Sequence, residues 1–316
     1  MKTDEIKKLI IEYQKNQDDF VNAFTITTHK KRKKDREIIA YKHGDSNGIS
    51  LRRVHTELLG KLEKSYKSNS RSFAYKTGMN CHKAVKEHLK SNFFIKTDIK
   101  SFFETISLDY FKEICPEIIN AKLCNQISFN DVLTICFYKN HLPLGYVTSP
   151  IISDIYLSKF DNEISEYLKD KKFLHYSRYS DDILISSEGK TFTDLEELFE
   201  IIKRELKKVH LCINESKTRK VELQFKPTSA PSITFLGLII SKEDEVKNRI
   251  TISKSFICKT LDLIDEYKHE HVKNVFKRAR IISSIYYLKN NSENSYQRFL
   301  KKYKNRFGSD YEDHKE

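Results

Sequence analysis

Apolar positions along this 316-residue chain change period several times, and each change marks an element. Helical spacing covers the first thirty residues. Turn formers at His43, Gly44, Asp45, Ser46, Asn47 and Gly48 then separate two short runs, 37–42 and 49–54, which predicts a β-hairpin. Residues 80–92 read as a helix leading into an apolar strand, Phe93, Phe94 and Ile95 through Thr97, that ends at Asp98. Helical spacing returns over 108–139 until Pro143 and Gly145 break it. A strongly periodic helix follows, with Ile151, Ile152, Ile155, Tyr156, Phe160 and Ile164 on its inner face, Ser149 as its expected cap and Pro150 in its first turn. Two β-rich runs, 173–178 and 183–187, flank Tyr179, Ser180, Asp181 and Asp182 and predict a second hairpin. An amphipathic helix over 192–209 and strands at 220–224 and 233–240 complete the series β, α, β, β, α, β, the split arrangement of an α/β (α+β) fold. Beyond residue 242 the pattern is helical and basic, with Lys273, Lys277, Arg278 and Arg280 crowded onto one segment.

Charge and composition narrow the class. The 57 Lys and Arg against 44 Asp and Glu give a formal +13, which suits a polyanionic partner, and a basic run from His29 to Lys34 adds to that surface. The length suffices for two or three subdomains. Six cysteines without a CxxC pair read as reduced thiols, not as a zinc site or a disulfide framework. No run of about 18 apolar residues occurs, and the amino terminus reads as a charged amphipathic helix, so the expectation is a cytoplasmic protein without a membrane partner.

The chemistry concentrates at the second hairpin. An acidic pair in a turn is by itself ordinarily a solvated turn. Here the pair Asp181 and Asp182 is boxed by apolar strands, and a further carboxylate, Asp98, ends another one. Mg2+ takes hard oxygen ligands and is commonly held by one or two carboxylates plus substrate phosphates, a demand these acids meet. Two such ions, with Mn2+ as a substitute, could serve an in-line phosphoryl displacement.

The blocks around these acids resemble those of a reverse transcriptase, in family order from about residue 50 to about residue 240. Residues 98–103 resemble the first catalytic motif, 142–150 the glycine-containing motif, 179–182 the tyrosine and aspartate-pair motif, 214–218 the lysine motif and 235–237 the primer-gripping hairpin. The resemblance implies a right-hand polymerase with fingers and an N-terminal helix (1–92), a ferredoxin-like palm (93–241, with a finger insertion at about 108–140) and a helical thumb (242–316). It implies Asp98, Asp181 and Asp182 as catalytic, metal-binding acids. Arg52 or Arg53 would meet the incoming triphosphate from a finger strand, Phe103 would gate against the ribose 2′-hydroxyl, Gly145 would let backbone approach the nucleotide, and Lys217 would donate a proton to pyrophosphate. Lys76 and the thumb residues Lys273, Lys277, Arg278 and Arg280 would hold nucleic-acid phosphate. The partners so implied are dNTPs, a noncoding RNA as template and primer and a DNA product, with an effector protein or a second copy of the chain as further candidates.

The type suggested is the prokaryotic retron or defence-associated, group II intron-like enzyme. Several positions depart from a retron pattern: Leu144 stands where glutamine is common, Ser180 where alanine is usual, and Thr234 to Gly237 replaces the valine-threonine-glycine element. Of the asparagine, alanine and histidine signature before the first catalytic motif, only His88 has a counterpart. These departures lean toward a divergent anti-phage enzyme organised by its own RNA, with a retron enzyme as the near alternative. A template-independent or protein-primed nucleotidyltransferase on the same palm is the alternative from another class.

Overall fold

A computed structural model describes residues 3–27, 35–119, 122–124, 127–189, 191–226, 230–270 and 274–311. The first helix, α1 (Thr3–Lys15), buries Leu9, Ile10 and Tyr13 and carries Asp4 and Glu5 in its first turn, where the helix dipole favours them. It stops well short of residue 30. Asn16 caps a 3-10 turn over Gln17–Asp19, and the chain enters β1 (Val21–Thr27), which pairs antiparallel with β2 (Asp35–Tyr41) from Val21↔Tyr41 to Thr27↔Asp35. The predicted partner of that second strand, 49–54, is instead part of α2 (Ser46–Ser65). Asp45 caps this helix by accepting from the Asn47 N–H, and Leu51, Val54, His55, Leu58 and Leu62 recur at helical spacing on its buried side.

The next stretch runs α3 (Cys81–Lys86), β3 (Phe93–Asp98), α4 (Phe102–Thr105), α5 (Leu108–Ile114), α6 (Pro116–Ile119), a small hairpin of β4 (Lys122–Cys124) and β5 (Ile127–Ser128), and α7 (Phe129–Leu133). The single helix expected over 108–139 is thus broken, first at Pro116, which cannot continue α5 and opens α6. Then come α8 (Ser149–Tyr156), α9 (Ser158–Tyr167), β6 (Leu174–Tyr179), β7 (Asp182–Ser187), α10 (Thr193–Lys208) and β8 (Arg219–Glu222). Pro150 lies in the first turn of α8 as expected, but Thr148 is the cap residue, and the Ser149 hydroxyl donates to the Pro143 carbonyl at 2.7 Å.

Four strands form one antiparallel sheet in the order β6-β7-β3-β8, so the predicted β, α, β, β, α, β series closes into a ferredoxin-like palm. The strand expected over 233–240 is two strands, β9 (Ser232–Phe235) and β10 (Leu238–Lys242), turned by Leu236 and Gly237 with φ of 52° and 82°. With β11 (Asn248–Ile252) they make a separate three-stranded sheet, and α11 (Lys254–Lys268), α12 (Val275–Asn291) and α13 (Glu293–Phe307) follow as the helical thumb.

Alternation along β3 divides the core in two. Phe93 and Ile95 face the helical side and join Ile152, Ile155, Leu195, Leu198 and Ile202, whereas Phe94 faces the other way and joins Leu184, Phe235, Leu238, Ile257 and Ile281. Asp98 shares the parity of Phe94 and Lys96, so it opens toward the β9 side and away from the helices. Among the described residues no helix is long and apolar enough to cross a membrane.

Candidate active site

Strand pairing alone brings the acids together. In the β3–β7 ladder Asp98 lies directly opposite Asp182, which puts the two side chains on one face of the sheet. Ser180 and Asp181 form the two-residue connection between β6 and β7. The Ile99 N–H donates to the Asp181 carbonyl at 2.9 Å, and the Asn214 N–H donates to the Asp98 carbonyl at 2.7 Å, so the acidic turn and the lysine-bearing loop are both tied to the end of β3. Like charges set opposite each other disfavour ionisation. Burial, followed by the neighbouring charges of Asp181 and Asp98, holds the Asp182 carboxyl above the usual aspartate range, partly offset by Lys96 and Lys217.

Asp98 itself is buried, and its two oxygens have unequal surroundings. Oδ2 accepts from the Lys217 ammonium, while Oδ1 is buried and, among the described residues, has no hydrogen-bond partner. A buried carboxylate oxygen without a donor is costly, and a cation is the natural group to satisfy it. Among the described residues no three His, Cys, Asp or Glu side chains are arranged to hold a metal unaided. The donor set fits a hard divalent ion whose remaining ligands are substrate oxygens. A cleft of about 540 Å³ opens at this point, lined by Asp98 and Asp182 together with the cations Lys96, Lys217 and Arg219.

Beneath the turn lies a buried ionic cluster that the sequence did not reveal. Arg178 is 1% exposed, and its guanidinium donates to both oxygens of Asp161, to Asp154 at 2.7 Å and to the Ser180 carbonyl at 3.1 Å. Asp154 also accepts from the hydroxyls of Ser68 and Ser72, and Tyr176 donates to Asp161 at 2.8 Å. Burial raises the Asp154 carboxyl, but Arg178 and the two serines outweigh it and hold the group below its ordinary value.

The other candidates are placed as follows. Phe102 is core and Phe103 is half-exposed, because both lie on the helical turn α4 and not on a strand; their rings meet edge to face at 5.2 Å. Gly145 adopts φ 118°, and a Cβ there would come within 2.4 Å of the Ile39 carbonyl, so close approach of β2 explains the glycine. The adjacent Ile39 N–H donates to the Leu144 carbonyl at 2.8 Å. Arg52 and Arg53 are both exposed on α2, and strand alternation does not choose between them; Arg53 sits 3.6 Å from Glu57 and lines a different cleft, beside α1. The Lys76 ammonium donates to the Asn69 and Ser72 carbonyls and staples its own loop. Lys277 is paired with Glu270 at 2.5 Å and Glu266 at 3.2 Å, whereas Arg278 and Arg280 are exposed on α12. Lys273 and the basic run Lys30 to Lys34 lie outside the described residues.

A four-stranded antiparallel palm that presents carboxylates from a strand end and from a tight hairpin, flanked by a helical thumb, defines a right-hand nucleic-acid polymerase. Within that class the chain belongs to the reverse transcriptase (RNA-dependent DNA polymerase) family, whose sequence pattern matches residues 32–240. It is 24% identical over 220 residues to the Retron Ec73 reverse transcriptase of Escherichia coli, covering 64% of this chain and 66% of that protein. To the Retron Ec86 reverse transcriptase of the same organism it is 30% identical over 158 residues, covering 49% of this chain and 45% of that protein. The fold alone is shared with apo telomerase from Candida tropicalis, at a TM-score of 0.54 and 15% identity over 88% of this chain and 55% of that one.

Proposed function

We propose that the chain is an RNA-directed DNA polymerase that extends a primer with deoxynucleotides, with Asp98, Asp181 and Asp182 holding two divalent ions, Mg2+ or Mn2+ in its place. The observation that carries this reading is the cross-strand pair of Asp98 and Asp182 with the bare, buried Asp98 Oδ1. The ions, when bound, neutralise charge on the reacting phosphate and acidify the attacking hydroxyl. The protein's own share is positioning. The carboxylates fix where the cations sit, and Lys96, Lys217 and Arg219 meet triphosphate charge across the cleft. Phe103, on the helical turn after β3, would limit space beside the sugar. Lys217, held on Asp98 and lining the same cleft, would be the proton donor to the leaving pyrophosphate.

The reading extends to a dedicated noncoding RNA as template and primer, in the service of anti-phage defence. The test is to purify the protein with its bound RNA and supply dNTPs and Mg2+. DNA complementary to that RNA should appear, and Asp98→Ala or Asp181→Ala should reduce synthesis to background while the fold is retained. Undiminished synthesis by Asp181→Ala would refute the site, and product with no complementarity to the RNA would refute templated copying.

A further inference from the structure

Two strained residues meet at the catalytic turn. Tyr75 and Ser180 both adopt left-handed backbone conformations, with φ of 60° and 59°, and the Tyr75 hydroxyl donates to the Ser180 Oγ at 2.8 Å. A left-handed conformation is strained for a bulky L-residue and persists only where the surroundings over-determine it.

The surroundings of Tyr75 do so. The Phe73 N–H donates to the Arg178 carbonyl at 2.8 Å, the Arg178 N–H donates to the Arg71 carbonyl at 3.0 Å, Lys76 clamps the Asn69 and Ser72 carbonyls, and Ser68 and Ser72 anchor on Asp154. The whole loop is therefore fastened along β6 and onto α8. Burial does not explain the effort, since Tyr75 remains 47% exposed, its ring 6.5 Å from that of Tyr179. What the loop delivers is one hydroxyl to one residue. That residue is Ser180, which is buried, held from below at its carbonyl by Arg178 and followed directly by Asp181. A side chain with an acceptor atom is needed at position 180 to receive this contact, and the alanine that the family resemblance leads one to expect has none.

We infer that Tyr75 is a positioning residue for the catalytic turn: its hydroxyl fixes Ser180 and with it the direction in which Asp181 presents its carboxylate. The inference rests on the reading of Asp181 as a catalytic acid. Misdirection of that carboxylate would lower turnover and metal use more than nucleotide binding, because the Tyr75 ring and the cleft cations are untouched by loss of one oxygen.

The experiment compares Tyr75→Phe, Ser180→Ala and the double variant by steady-state synthesis over dNTP and Mg2+ concentration. Each single variant should lose about three- to tenfold in kcat, the range of one net hydrogen bond, with the dNTP KM within about twofold of wild type and a higher Mg2+ requirement. The double variant should be no slower than the slower single, because both remove the same bond. Wild-type kcat in Tyr75→Phe, or losses that multiply in the double variant, would overturn the inference. Asp181→Ala, run alongside, separates the two readings. If it still synthesises DNA the site assignment has failed; if it is inactive while Tyr75→Phe is normal, only the positioning role has failed.

Discussion

Asp98 and Phe103 show how differently neighbouring side chains can be read. The carboxylate was visible in sequence because an acid that ends a run of apolar strand residues has few structural uses, and the fold places it opposite Asp182. Phe103 was legible only through the family resemblance, and it lies on a helical turn that buries Phe102 and leaves Phe103 partly buried against the core. Phe103→Ala should raise ribonucleotide incorporation relative to deoxynucleotide by about tenfold or more, the scale on which a pocket contact discriminates, as read from paired kcat/KM values; unchanged discrimination in a folded, active variant would place the gate elsewhere. Arg178, Asp154 and Asp161 were not legible. Each looks ordinary where it stands, a strand arginine and two helix acids, and only the packing of β6 against α8 and α9 brings these buried charges into contact. No local pattern encodes such a meeting.

The hairpin around Ser180 and Asp181 and the helix α10 follow their patterns, and the single helix expected from Ile151 to Ile164 is two, α8 and α9, divided at Leu157. Residues 49–54 were read as a strand although Leu51, Val54 and His55 also fit a helix that Asp45 caps. That helix matters to the loop preceding α8. His55 Nε2 contacts the Ile135 carbonyl at 3.0 Å and Nδ1 contacts the Tyr41 hydroxyl at 2.8 Å; with the proton on Nε2, Tyr41 donates to the ring and accepts from the Val147 N–H at 3.1 Å. Beside this chain of contacts, Gly145 lets β2 close against the loop. Gly145→Ala should therefore destabilise the protein by about 1 to 3 kcal/mol through overpacking against the Ile39 carbonyl, with added backbone strain at φ 118°. Chemical denaturation would measure it, and a variant as stable as wild type would show that the loop yields without cost.

At the scale of the whole molecule, the palm sheet separates two cores, and buried histidines sit in both of its flanks. Burial lowers the His55 imidazole from 6.5 to about 3, and burial together with His175 and Arg71 holds His88 well below the ordinary histidine value. In this window the unfolded chain binds protons that the native state excludes. The stability is fully present above about pH 6.5 and is lost as the pH falls toward 3, by as much as about 1.4 kcal/mol per pH unit for each histidine. Unfolding midpoints should accordingly drop between pH 7 and pH 5, before ordinary carboxylates titrate, and a flat profile over that range would contradict the burial of these rings. The meeting of Asp98 with Asp182 also sets what this chain can tolerate in length. One residue inserted between Phe93 and Asp98 would turn the carboxylate toward the helices, and two would restore the face but carry it about 7 Å along the sheet. The palm strands thus act as a ruler whose divisions cannot be redrawn. The β10–β11 tip, where Val246 is 91% exposed and the Glu243 N–H merely closes on the Lys247 carbonyl, can be lengthened or shortened without moving either aspartate.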